Sequence, residues 1–453
     1  MPVSLMTTLA LMSLTTAQSD TSNTTDALRT EIEAMRAAYD VSGLAVSIVD
    51  GDEVVLSEGF GAFESGPVSE RTQCGLFSAT KALTAFTLAD LTEDGAIDLD
   101  APLESILPDS PDPWREIPLW RLYNHTSGIP MIINQEAFGA IAEDPEGGNA
   151  AIYEVVRTQP LDFEPGAHSR YQQSGYAIAE MITEARLGQT WPALVAHHLT
   201  GPAGAADTVY GPLSDGSKTV PMIASAGGYL TTAADMAALF QALNAERIMD
   251  RTALTDRLSD PRYIQDGYGL GLIIEEVNGE VTLGHRGGGA RANLRYAPTS
   301  GVGVMACTDQ VGNRELTIHV ADMVMNALLT GEAPRPHIAS LLYASDDATA
   351  GTLVRLFEAE WSDPDTRYGF GGAEAVINAM GYDRLADSPD EARMLFELNA
   401  RTYPDSANVW DSLADSQLAL GEDAAALESM RRALDLQPGN PYFQGRVAEH
   451  APD

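Results

Sequence analysis

The chain has 453 residues, 44% of them hydrophobic, which is enough for two or three domains with sizeable cores and argues against global disorder. Its 65 acidic and 27 basic side chains give a formal net charge of −38. Such a field repels phosphate backbones and anionic lipid, so no nucleic-acid partner is expected.

Residues 4–17 are apolar and small. They are too short to span a bilayer and match the apolar region and cleavage end of a secretory signal, with a cut after Ala17, although no basic segment precedes them. The mature chain is therefore expected to be periplasmic or secreted. No later segment is apolar enough to cross a membrane. Residues 18–27 read as a polar spacer, and residues 26–39 carry a helical pattern on Leu28, Ile32, Met35 and Ala38. Two β-like runs follow, 44–49 and 53–56, joined as a hairpin by Asp50-Gly51. The cysteines are Cys74 and Cys307, too few for a disulfide framework or a metal site. They could form one bridge in an oxidising compartment; two small buried thiols are the preferred expectation.

Residues 76–93 form the next helix, with Leu76, Phe77, Ala79, Leu83 and Phe86 at helical spacing. Ser78 and Lys81 lie three apart and share one face. A hydroxyl beside an amine is a minimal nucleophile-and-base pair. Of the 27 basic residues only two are lysines, Lys81 and Lys218. Arginine stays protonated at any working pH, whereas a desolvated lysine can give up its proton and act as a base.

From about 115 to 240 the chain reads as helices and long loops. Four stretches pair Gly or Pro with aromatic or hydroxyl residues, as shaped functional loops do: 124–130, 163–166, 171–176 and 226–233. Strand-like runs follow at 269–275, 281–285 and 301–307, then a helix over 314–329. Strands early, helices in the middle and strands late predict an α+β domain over 28–332, with an antiparallel sheet built from both ends and a helical insert. The segment 333–345 is the expected linker, beginning in Pro-rich sequence, and 346–453 reads as a helical tail. In the tail Pro438 follows Pro404, Ala426 follows Ala392 and Met430 follows Phe396, each by 34 residues. Ser406 to Asn440 then reads as helix, Gly421 turn, helix, which resembles a tetratricopeptide repeat. About one and a half copies are too few for a free-standing array, so the tail is expected to pack on the main domain or on a protein partner.

A serine needs something to take its proton. Tyrosine can relay that proton or serve as the base, and Tyr171 and Tyr176 are the candidates. His285-Arg286-Gly287-Gly288-Gly289, closing an apolar run, fits an edge strand lining the pocket, whose glycines let a backbone N–H point at a developing oxyanion.

These elements, in this order, resemble the penicillin-recognising serine hydrolases, and within them the class C β-lactamase-related group of esterases, D-aminopeptidases and DD-carboxypeptidases. Ser78-Ala79-Thr80-Lys81 matches the nucleophile motif, Tyr171 the tyrosine of the second motif and His285-Arg286-Gly287 a His-x-Gly form of the third. The resemblance covers about 28–330. It implies an antiparallel sheet with helices on both faces, an acylated Ser78, Lys81 and Tyr171 as the base system, and an oxyanion hole from the N–H groups of Ser78 and Gly288. Two departures matter. Gln173 stands where the motif has Asn, against a substrate amide, and His285 stands where a lysine would attract a substrate carboxylate. Arg286 or Arg291 could compensate. Both departures favour esters or D-amino-acid amides over β-lactams.

Three residue groups are expected to be structural: His125 shaping its loop, Tyr176 packing as core, and His197-His198 as a solvated helix end. No metal-spaced cluster and no phosphate-binding loop are read, so no cofactor is expected. The expected function is a serine hydrolase for small ester or peptide substrates: first a carboxylesterase on short acyl esters, next a D-residue peptidase or amidase, then a β-lactamase. The alternative of another class is a non-catalytic sensor with a penicillin-binding-type pocket.

Overall fold

The structure is a computed structural model that describes residues 23–131, 148–211 and 223–451. The leader at 1–17 and Lys218 lie outside the described residues. The chain divides into two compact units, one holding residues up to Arg36 together with Asp40–Pro334, the other holding Ala37–Tyr39 and the residues from Arg335 onward.

In the first unit, seven strands form an antiparallel sheet in the order β3-β2-β1-β10-β9-β8-β7. Here β1 is Gly43–Asp50, β2 Glu53–Phe63, β3 Gly66–Pro67, β7 Ile273–Val277, β8 Glu280–Arg286, β9 Ala292–Ala297 and β10 Val302–Cys307. The first and last strands of this unit therefore meet at the sheet centre, where β1 pairs with β10. The hairpin at Asp50-Gly51 forms, with Asp50 opposite Glu53. A smaller sheet joins β4 (Cys74–Gly75), β6 (Tyr229–Thr231) and β5 (Val209–Tyr210) in that order.

Strand side chains alternate between faces, and in β9 and β10 every residue is buried, so both faces of the sheet are covered. On one face Met305, Leu294 and Ala45 share a core with Leu83 and Phe86 of the helix Thr80–Glu93 and with Phe240 of the helix Ala233–Asn244. Gly303 lets Phe240 lie flat on β10: a Cβ there would sit 2.3 Å from the ring. The helix at 23–38 buries Leu28, Ile32 and Met35, and its Arg29 pairs with Glu58 of β2 at 2.7 Å.

Three expectations need correction. Cys74 and Cys307 are not free thiols but form a disulfide across 233 residues, tying β4 to β10. The run at 269–275 becomes strand only from Ile273; Gly271 at φ 87 turns the segment before it. A fourth late strand, β9, exists where three were read, and its pattern was hidden by Asn293 and Arg295, both buried.

In the second unit, helices start at Ala373, Pro389, Ala407, Asp423 and Pro441. Each start falls 34 residues after the matching one, from Ala373 to Ala407 to Pro441 and from Pro389 to Asp423. Ala392, Phe396, Val409 and Leu413 form one small core, Ala414, Ala426 and Met430 another. The Ala407–Ala419 and Asp423–Leu436 pair turns at Gly421, with φ 73.

Candidate active site

Ser78 sits in a short 3-10 turn, Phe77–Ala79, that opens directly into the helix Thr80–Glu93. Phe77 adopts φ 48, a costly conformation for a bulky residue that the surroundings must hold. Ser78 is half-buried and Lys81 fully buried. The Lys81 Nζ donates to Gln173 Oε1 at 2.9 Å and to the Ala226 carbonyl at 3.0 Å. It lies 5.0 Å from the Tyr171 ring centre and 4.8 Å from that of Tyr176.

Burial disfavours the ammonium and pulls Lys81 below its ordinary value, against the opposing pull of Tyr171. Tyr171 is 43% exposed, yet its hydroxyl end sits inward, interacting with Lys81, Ser78 and Gln173. Burial alone would push that phenol up; the Lys81 charge and the hydrogen bonds from Lys81, Ser78 and Gln173 outweigh it and bring the phenol down. An amine and a phenol are thus both lowered from their ordinary values beside one hydroxyl, which favours proton transfer at working pH. Tyr176 does something different: its hydroxyl donates to the Tyr123 carbonyl at 2.8 Å, it is fully buried, and burial holds its proton firmly.

The third wall comes from β8. β8 is second from the sheet edge, not the edge strand expected, but pairing with β7 stops at Gly284 opposite Ile273. His285 and Arg286 run past it, paired only with β9. At Gly287 a Cβ would stand 2.6 Å from the Leu76 carbonyl oxygen, so only glycine lets β8 approach the segment that carries Ser78. Gly288 opens the next turn, its Cβ position 4.0 Å from that of Phe77. Ser78 and Gly288 both lie in the first turn of a short helix, where N–H groups have no partner within the helix.

His285 is placed differently from a charge anchor. Its Nδ1 lies 2.7 Å from the Arg286 carbonyl, which can only accept, so Nδ1 carries the proton. Nε2 then accepts from the Tyr268 hydroxyl at 3.1 Å. Burial, with the Lys81 charge added, pushes His285 down to about 3, so the ring is neutral. Neither arginine is a free substitute: Arg286 pairs with Glu275 at 3.4 Å, and the Arg291 guanidinium lies 3.6 Å over the Phe77 ring while its Nε donates to the Gly288 carbonyl at 3.1 Å.

Tyr268 is a site residue that the sequence reading missed. Its ring packs 4.8 Å from His125 and edge-on to Tyr171. The signal was available: Gly267, Gly269 and Gly271 alternate around an aromatic, the pattern that marked the other loops. His125, buried at φ 65, accepts from the Gln172 N–H and packs at a tilt against Tyr171, ring centres 4.4 Å apart.

Elsewhere, His198 is not the solvated residue expected. Its Nδ1 meets Asp90 at 2.8 Å, and with Asp94 the three bring ligand-type atoms within 4.8 Å of one another. The Asp90–His198 hydrogen bond accounts for the grouping. Among the described residues no helix is long and apolar enough to cross a membrane.

Residues 28–322 match the beta-lactamase family model. Penicillin-binding protein 4* of Bacillus subtilis is 24% identical over 186 residues, 40% of this chain and 40% of that protein. The lovastatin esterase of Penicillium rubens is 30% identical over 162 residues, 31% of this chain and 40% of that protein. The chain thus spans less than half the length of these curated relatives. Among solved structures, a D-stereospecific amidohydrolase from Streptomyces sp. superposes with TM-score 0.53 at 24% identity, over 67% of this chain and 98% of that one.

Proposed function

This chain belongs to the beta-lactamase family, and from that premise we propose that it is a serine hydrolase working through an acyl-enzyme on Ser78, with short acyl esters as substrates. The observation that carries this is the buried Lys81 amine, held by two neutral acceptors beside a half-buried serine and a phenol lowered by that amine. The Lys81–Tyr171 pair takes the Ser78 proton as Oγ attacks the ester carbonyl. The oxyanion is met by the N–H groups of Ser78 and Gly288. The departing alkoxide takes the proton back from the pair, and water, activated by the same pair, releases the acid. Gln173 has its oxygen on Lys81, so its amide NH2 is the donor that meets the Tyr171 phenol.

The preference for neutral esters follows from the third wall. A substrate carboxylate would find a neutral His285 and two arginines already engaged. That disfavours β-lactams and peptide C-termini. The Cys74–Cys307 bridge supports work in an oxidising compartment, the periplasm or outside the cell.

A fluorophosphonate probe tests the reading. Intact mass should show one adduct on the purified protein and none on Ser78→Ala, and a panel of p-nitrophenyl esters, D-alanine amides and a chromogenic cephalosporin should rank the esters first. No adduct on either protein, or equal hydrolysis by both, would sink the enzyme reading in favour of a binding role.

A further inference from the structure

A short strap, residues 223–226, runs between the two helices that carry the reacting groups. The helix Thr80–Glu93 bears Lys81 and, one turn on, Thr84; the helix Ser174–Leu187 follows Tyr171 and Gln173 and bears Glu180. On the first side, Thr84 Oγ1 donates to the Ser225 carbonyl at 2.6 Å and Lys81 Nζ to the Ala226 carbonyl at 3.0 Å. On the second, the Ser225 N–H donates to Glu180 Oε2 at 2.7 Å. Asn149 closes the brace: its Nδ2 donates to Glu180 Oε1 at 2.9 Å, and its Oδ1 accepts the Ile223 N–H at 3.0 Å. Ile223 stands at φ 60, unfavourable for a β-branched residue, so the strap's shape is imposed by its partners.

Glu180 is only 4% exposed. Burying a carboxyl is costly unless its oxygens are hydrogen-bonded, and here both are. Burial pushes it above the usual carboxylate range, with Glu184 adding to the push and the Ser225 and Asn149 hydrogen bonds opposing it. The acyl-transfer chemistry does not use this group, and packing alone would be served by an apolar side chain.

We propose that Glu180 is a positioning residue for acyl transfer: it holds the 223–226 strap so that the Ala226 carbonyl stays on Lys81 Nζ and keeps the amine aimed at Ser78. The inference rests on the reading of Ser78 as nucleophile with Lys81 and Tyr171 as its base. Gln173 Oε1, the Ala226 carbonyl and the Tyr171 hydroxyl are the acceptors that fix the amine's direction. Tyr171, Tyr176, His125 and His285 face Lys81 from the other elements, and burial keeps both histidines uncharged. With Ala226 withdrawn, the ammonium loses an acceptor that none of these replaces.

The test compares wild type, Glu180→Leu and Glu180→Gln, each full length, on a p-nitrophenyl ester, with kcat, KM, the pH profile of kcat/KM and the melting temperature. Leu keeps the volume and removes the acceptor; Gln keeps an acceptor for the Ser225 N–H. Glu180→Leu should lose about tenfold or more in kcat at little-changed KM, within the range of a misaligned general base. The acid limb of its kcat/KM profile should move to lower pH, because the proton leaves an ammonium with one acceptor fewer. Glu180→Gln should keep most of the activity and the wild-type limb. Should Glu180→Leu not fold, the near-isosteric Thr84→Val loosens the same strap and must move the limb in the same direction. A wild-type rate and limb in Glu180→Leu, an equal loss in Gln and Leu, or an unmoved limb in Thr84→Val would overturn the proposal. A wild type no more active than Ser78→Ala would overturn the underlying reading, and this proposal with it.

Discussion

At the scale of residues, the proposed chemistry turns on Lys81, one of only two lysines in a chain that otherwise uses arginine. Guanidinium cannot give up its proton, so Lys81→Arg should lose kcat/KM as heavily as Lys81→Met, by about 10²–10⁴-fold, while the melting temperature discriminates the two. A Lys81→Arg enzyme near wild-type rate would remove the lysine from the base system. His285 makes a separate point about pH. Its folded value is depressed to about 3 from the ordinary 6.5. Between those values the unfolded chain takes up a proton that the folded chain refuses, so this group's contribution to stability is present above 6.5 and fades as pH falls toward 3. His285→Gln should therefore flatten the drop in melting temperature across that window, measured by calorimetry, and should leave the acid limb of activity in place. A limb that moved with His285→Gln would place the histidine in the proton-transfer path. The sequence showed Ser78, Lys81 and Tyr171 because their motifs are short-range and chemically narrow. It did not show Tyr268 holding His285, since nothing local marks a partner 17 residues away across a turn.

At the scale of elements, two features hold the Ser78 segment against the sheet. The Cys74–Cys307 bridge ties the strand just before Leu76 to β10. Closing so long a loop constrains the unfolded chain, and Cys74→Ala with Cys307→Ala should cost about 2–5 kcal/mol in denaturant titration. An unchanged midpoint would mean that the bridge does not form in solution. Gly287 is the second feature. Gly287→Ala should force β8 from the Leu76 carbonyl and lower kcat more than stability; a fully active variant would show that β8 tolerates the shift. The hairpin of β1 and β2 was legible because a turn dipeptide separates two apolar runs. β9 was not, because Arg295 interrupts its apolar pattern. That arginine is buried through its pairing with Glu275, Asp322 and Thr282, contacts the sequence cannot display. Spacing likewise could not settle the disulfide, which depends on two strands meeting from opposite ends of the fold.

At the scale of the whole molecule, the net charge of −38 is a standing repulsion spread over the surface. Salt screens such interactions within about 10 Å at 0.1 M and 3 Å at 1 M. The melting temperature should therefore rise between those salt concentrations, and a fall would mean that surface ion pairs outweigh the repulsion. The 34-residue spacing of the tail helices extends what Pro404 and Pro438 suggested, from one and a half units to two helix pairs and a closing helix. The first unit's sheet could be inferred from strand runs near both ends, but the strap that joins the helix bearing Lys81 to the helix bearing Glu180 depends on contacts 145 and 45 residues apart. The most direct test of the proposed reaction is acid quench of the wild-type protein during turnover of a p-nitrophenyl ester, followed by peptide mapping. The acyl group should be found on the peptide that contains Ser78, and on its hydroxyl. Turnover with that peptide unmodified and the acyl group on another residue, or on none under conditions that trap acyl-enzymes, would contradict it.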